Sequence, residues 1–188
     1  GAAMRVAPVG LIFHNSPDLY TKASLSASVT HAHPVGIDGA ALQAKAVALA
    51  INLDPAEPFP HKEFINQLVD FARTSEMKER MYQVQKLVAA NVSPEKASEH
   101  LGRSIEVQNS LPFALYSFLH YPKSFEGCLF CAILNGGDRD TLGAMACAVS
   151  SAYLGIESMP QEWRAKLENG SYIESLAKSL AEISEQTS

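Results

Sequence analysis

Cysteine is scarce in this sequence, β-patterned segments are almost absent, and no apolar run reaches membrane length. Three cysteines in 188 residues fit a reducing compartment. No run of about 18 or more apolar residues occurs, so no membrane span is expected. No stretch carries the charged-then-apolar pattern of a secretory signal. There is no basic stripe with interleaved aromatics, and the net charge is −5 with a pI near 5.7. Nucleic acid is therefore not expected as a direct partner. No alternating run of Val, Ile and Thr makes even one convincing strand. Internal repeats and low-complexity stretches are missing as well.

What remains is helical. The chain is 47% hydrophobic and 19% charged, which suits one globular domain, or a large part of one, with a sizeable core. Apolar periodicity predicts helices over 19–29, opened by Ser16 and Pro17, and over 37–51, with Ala40, Ala41, Ala44, Ala46, Ala48 and Ala50 as a small-residue surface. A helix so rich in alanine can approach its neighbours closely and is expected to lie centrally. Leu53 to Pro60 holds three prolines and must be a loop. Phe64, Leu68, Phe71 and Ala72 keep helical spacing, as do Met77, Met81, Val84 and Val88. Ser93-Pro94-Glu95 opens a short helix that Gly102 closes. Further helices are expected over 111–120, 125–134, 140–154, 160–167 and 171–183. The fold class is all-α, with about nine or ten helices and a polar tail that frays after Glu185.

Few residues carry chemistry. Cys128-x-x-Cys131 has the spacing of half a zinc site, but no second pair or nearby histidine completes it. Its neighbours Leu129, Phe130, Ile133 and Leu134 make it a buried helix segment, and Cys147 among Ala146, Ala148 and Val149 reads the same way. His31 and His33 are the only close histidine pair, and such a pair without an acidic or third histidine neighbour is more often structural than metal-binding.

The informative segment is Gly136-Gly137-Asp138-Arg139-Asp140-Thr141, leading into Leu142-Gly143-Ala144-Met145-Ala146. Two glycines allow a turn with positive φ. Two carboxylates and a hydroxyl follow as a helix begins. Asp138, Asp140 and Thr141 offer only hard oxygen donors, suited to Mg²⁺ or Ca²⁺ and not to zinc. The plainer alternative is that they cap the helix and complement its dipole. On its own the segment does not decide between these.

Three stretches together resemble the ADP-ribosylglycohydrolase family. Gly1-Ala2-Ala3-Met4-Arg5-Val6-Ala7-Pro8-Val9-Gly10 is similar to the end of the family's glycine-rich phosphate loop and its following helix. Thr30-His31 with Gly36, Gly39-Ala40 and Ala44 resembles its threonine-histidine segment, and residues 136–141 resemble its Gly-Gly-Asp-x-Asp-Thr motif. A weaker fourth match runs from Gly102-Arg103-Ser104-Ile105 to Ser110-Leu111-Pro112-Phe113-Ala114. This stretch and Met159-Pro160-Gln161-Glu162-Trp163 most resemble the third animal type, which acts on serine-linked and polymeric ADP-ribose.

The resemblance implies a compact orthogonal multi-helix bundle, with residues 1–188 forming the C-terminal portion of a single domain. The partner N-terminal half would then carry the catalytic glutamate and a Thr-Asp-Asp metal motif, so no catalytic residue is assigned in this stretch. It implies two Mg²⁺ ions held in part by Asp138, Asp140 and Thr141. It also implies ADP-ribose contacts from Gly1 at the diphosphate loop, from His31, and from Ile105 against the adenine. Without the resemblance, His31 would be a surface residue at a helix end and Ile105 ordinary core. The implied reaction is Mg²⁺-dependent hydrolysis of the bond from ADP-ribose C1″ to serine or to another ADP-ribose unit, with O-acetyl-ADP-ribose a further substrate. Alternatives are arginine-linked ADP-ribose hydrolysis and a non-catalytic, crystallin-like protein. The implied partners are ADP-ribosylated proteins or poly-ADP-ribose. A monomer is expected, located in nucleus, cytoplasm or mitochondrial matrix.

Two departures from the family pattern stand out. Arg139 takes the place of a small residue; it could pair with the flanking carboxylates and weaken metal binding or point outward, and the outward position is expected. Arg103-Ser104 replaces Asn-Gly before Ile105, which could alter the adenine end of the pocket.

Overall fold

The computed structural model describes residues 1–187, and among them no strand occurs. Twelve α-helices follow in order: α1 (Ala2–Arg5), α2 (Ala7–Ile12), α3 (Leu19–Ser28), α4 (Pro34–Ile51), α5 (His61–Phe71), α6 (Ser75–Ala89), α7 (Pro94–Leu101), α8 (Val107–His120), α9 (Phe125–Leu134), α10 (Arg139–Leu154), α11 (Gln161–Ala165) and α12 (Gly170–Thr187). A 3₁₀ turn (Ile156–Ser158) joins α10 to α11. The all-α expectation holds. The fraying expected after Glu185 concerns side chains and a last residue outside the described ones.

The alanine-rich α4 is the central helix. It packs against α1, α2, α3, α5, α8 and α10, and all six of its surface-forming alanines are buried. Small side chains let so many neighbours approach one axis. At Gly39 the approach is closest, because an added Cβ would lie 2.4 Å from Val107 Cγ2 on α8. Although α4 has the length and apolar composition to cross a bilayer, Asp38 and Gln43 sit fully buried among protein atoms on it. It is a core helix. A second layer forms where α8 meets α6, α7, α9 and α10, burying Leu111, Phe113, Leu115, Tyr116, Phe118 and Leu119.

Three elements differ from expectation at their starts. Helix α4 begins at Pro34, three residues before Ile37, with His33 as its cap. Ser16 and Pro17 do not open α3; Ser16 Oγ instead accepts the Asp18 N–H at 3.1 Å, and Asp18 holds the cap position. Helix α8 begins at Val107, a turn earlier than expected, which places Pro112 inside it. Proline has no N–H for the carbonyl four residues back, so Gln108 O is left over. Arg80 fills that place. Its Nε donates to Gln108 O at 2.6 Å, while its Nη2 reaches Leu101 O at the end of α7 and Asn109 Oδ1 at 3.2 Å.

Asp38 is the buried polar centre of the fold. Its carboxylate accepts from Tyr20 OH at 3.0 Å, Arg73 N–H at 3.1 Å, and Thr74 N–H and Oγ1 at 2.7 and 2.6 Å. Thr74 Oγ1 in turn caps α6 by accepting the Met77 N–H. A carboxylate with every approach occupied anchors the α5–α6 turn to the central helix. Residue 38 carries no motif; a lone acid in an apolar helix is its only signal in the sequence.

Candidate functional site

The glycines before α10 form a turn with positive φ, +82° at Gly136 and +77° at Gly137. Both lie against Arg103 of the α7–α8 loop. A Cβ at Gly137 would come within 2.2 Å of Arg103 O, and that same carbonyl accepts the Asp138 N–H at 2.9 Å. The Arg103 guanidinium donates to Ser98 Oγ at 2.9 Å and to Asn135 O, closing the turn from its other side. In the sequence Arg103 stands out only as a departure near Ile105; in the fold it braces the acidic turn.

Asp138 occupies the cap position of α10, yet its side chain makes no capping hydrogen bond. Asp140 is exposed in the first helical turn. Its carboxyl is held below the ordinary aspartate range because the Asp138 carboxyl, when protonated, donates to it, and the N–H groups of Asp140 and Thr141 donate as well. Arg139 is exposed. Among the described residues the ion pairs are Arg164–Glu157 and Lys178–Glu174, so Arg139 forms no salt bridge with the carboxylates beside it.

Thr141 turns inward. Its hydroxyl donates to Met4 Sδ at 3.2 Å, and it lines a cavity of about 340 Å³ with Gly1, His31 and Ile105. Four separate segments thus meet at one hollow, at the small end of the volume range for ligand sites. Asp138 and Asp140 are not in its wall; they precede the wall residue Thr141 by three positions and by one. Ile105 is 80% exposed, so it is not core. An apolar side chain held in the open at a cavity rim is free to meet a flat ring. His33 lines the same cavity, but its Nδ1 accepts the Val35 N–H at 3.3 Å and caps α4.

The remaining candidates are structural. Cys128 and Cys131 are buried in α9 and Cys147 is half-buried, all as free thiols. Burial pushes the Cys128 thiol well above its ordinary range and Cys147 up to about 11, the opposite of reactive or zinc-binding thiolates. Among the described residues, no three His, Cys, Asp or Glu side chains gather as a metal-binding group. The acidic turn supplies two carboxylates and a hydroxyl.

The arrangement matches a known family over its whole length. The ADP-ribosylglycohydrolase family model covers residues 1–188. The chain belongs to the ADP-ribosylglycohydrolase family. Curated relatives agree. The human protein named ADP-ribosylhydrolase ARH3 is 33% identical over 208 aligned positions, covering 97% of this chain and 57% of its own length. The mouse protein of that name is 35% identical over 213 positions, covering all of this chain and 58% of the relative. The chain therefore spans a little over half the length of these family members. A solved structure described as an ADP-ribosylglycohydrolase-related protein complex superposes with a TM-score of 0.71 at 23% identity, covering 98% of this chain and 60% of that one. This likeness establishes the shared fold.

Proposed function

We propose that this chain forms the ADP-ribose-facing and metal-holding part of a hydrolase. The enzyme cleaves the bond between ADP-ribose C1″ and a serine oxygen or a neighbouring ADP-ribose unit. The observation that carries this reading is the meeting of Gly1, His31, Ile105 and Thr141 at one cavity. Family membership and the relatives named ADP-ribosylhydrolase support ADP-ribose as the substrate class; the serine or polymer acceptor rests on the likeness of residues 102–114 and 159–163 to the third animal type.

The donor set fits Mg²⁺. Asp138 is not consumed by capping, Asp140 favours its ionised form, and a threonine hydroxyl adds a neutral oxygen. Hard oxygens of this kind suit Mg²⁺, which keeps its remaining positions for water and substrate. Bound there, Mg²⁺ would supply charge stabilisation at the ribose and its attacking water.

The chain's own residues bind and orient. His31 hydrogen-bonds a diphosphate or ribose oxygen, and Ile105 covers the adenine face. Gly1, without a Cβ, lets backbone N–H groups come close to the diphosphate. Water adds at C1″ as the acceptor oxygen leaves with a proton, through a transition state of oxocarbenium character. By the family resemblance we assign the general acid/base glutamate and the remaining metal ligands to the part of the relatives that this chain does not match.

The test is ADP-ribose release from serine-linked and arginine-linked peptides in parallel, with and without Mg²⁺, by the complete enzyme and its Asp140→Ala variant. Mg²⁺-dependent release from the serine peptide, abolished in the variant, is expected. Near-wild-type turnover by the variant would sink the metal assignment. Preference for the arginine peptide would move the enzyme to the other substrate class.

A further inference from the structure

A chain of three side chains ends at the cavity. Arg5 Nη2 donates to Ser26 O at 3.1 Å and to Thr30 Oγ1 at 2.7 Å. Thr30 Oγ1 lies 2.7 Å from His31 Nδ1. The guanidinium thus ties α1 to the last turn of α3, where carbonyls have no helical partner. It also favours one direction for the remaining bond: the Thr30 oxygen has a second lone pair, but its proton has no other side-chain or backbone acceptor among the described hydrogen bonds. Arginine can only donate, so Thr30 accepts from it and keeps its own proton to give. The acceptor set before that proton is His31 Nδ1. The neutral ring then carries its hydrogen on Nε2.

The ring's position makes that hydrogen useful. His31 is held between two glycines of the cavity wall. An added Cβ at Gly36 would meet Cδ2 and Cβ of His31 at 3.5 and 3.7 Å, and one at Gly1 would meet Cε1 and Nε2 at 3.4 and 3.9 Å. The Nε2 edge therefore faces Gly1 and the cavity. We infer that Arg5 and Thr30 are positioning residues that fix the His31 tautomer, so that the imidazole presents an Nε2–H donor to an anionic oxygen such as that of a diphosphate. The identity of that oxygen rests on the function proposed above; the tautomer does not. With the opposite tautomer, a ring lone pair would face the ligand oxygen and repel it.

Long-range ¹H–¹⁵N correlation of the ¹⁵N-labelled full chain reads the tautomer of the neutral ring directly. The Nε2–H form should dominate for His31, and a dominant Nδ1–H form overturns the inference without any variant. Thr30→Val should mix the tautomers and weaken ADP-ribose binding about tenfold, the worth of one well-made hydrogen bond. Thr30→Ser, which keeps the hydroxyl, should restore both. A Thr30→Val protein with unchanged tautomer and unchanged affinity also overturns the inference. Should the wild-type chain show the Nε2–H form and yet not bind ADP-ribose, the functional reading fails while the Arg5–Thr30–His31 relay stands.

Discussion

Two acidic sites in this molecule have opposite surroundings. Asp38 is wholly buried and ringed by Tyr20 OH, the N–H groups of Arg73 and Thr74, and the Thr74 hydroxyl. Asp138 and Asp140 sit on a glycine turn with few partners, one without a capping bond and the other in the open. The difference teaches how to sort carboxylates by role. Where donors of the protein take up the oxygens, the acid holds the fold together. Where the backbone shapes a turn at the surface and the carboxylates meet only each other and the first N–H groups of a helix, they remain open to a cation from solution.

Asp38→Ala breaks that comparison most severely. Four donors would lose their acceptor, and an unsatisfied buried donor costs about 1–3 kcal/mol. After relaxation the loss should be about 3–5 kcal/mol, lowering Tm by roughly 8–15 °C for a domain of this size. An unchanged melting temperature would show that the Asp38 network is ornamental. Asp140→Ala is its counterpart: unfolding free energy should stay within about 0.5 kcal/mol of wild type, while the response to Mg²⁺ disappears. Equal destabilisation by both substitutions would erase the distinction between the two sites.

Gly137→Ala probes the scaffold of the open site. The new Cβ needs a backbone conformation that alanine disfavours and meets the Arg103 carbonyl, so the turn must move. A cost of about 2 kcal/mol is expected, with weakened Mg²⁺ binding by calorimetry. Wild-type stability and affinity together would mean that the turn tolerates displacement. Arg139→Thr should do least. The exposed guanidinium forms no ion pair with Asp138 or Asp140, so Mg²⁺ affinity should change less than about threefold. A large gain would place the arginine at the metal.

Helical periodicity, prolines and glycines in the sequence were enough for the all-α class and most helix spans, because amphipathic spacing and backbone restrictions are local. They also placed the proline-rich loop and the buried Cys128 and Cys131, although Cys147 is half-buried and Phe130 and Leu134 beside the pair are exposed; the alanines of α4 disclosed its central position. The start of α8 was misread. A proline inside a helix is tolerable only when the freed carbonyl finds another donor, and Arg80 is 28 residues away from the Gln108 carbonyl it satisfies.

The same division runs through the site. Motif residues Gly1, His31, Ile105 and Thr141 could be named in the sequence only through the family resemblance; alone, His31 reads as a surface residue and Ile105 as core. That they share a cavity is a matter of long-range packing. So are the roles of Arg5, Asp38 and Arg103, whose bonds to Thr30, Thr74 and Asn135 span 25, 36 and 32 residues. Sequence by itself determined which donors and which backbone freedoms were available. Only the tertiary structure decided which carboxylate would be saturated and which left open, because hydrogen-bond partners are chosen by distance in space and not along the chain.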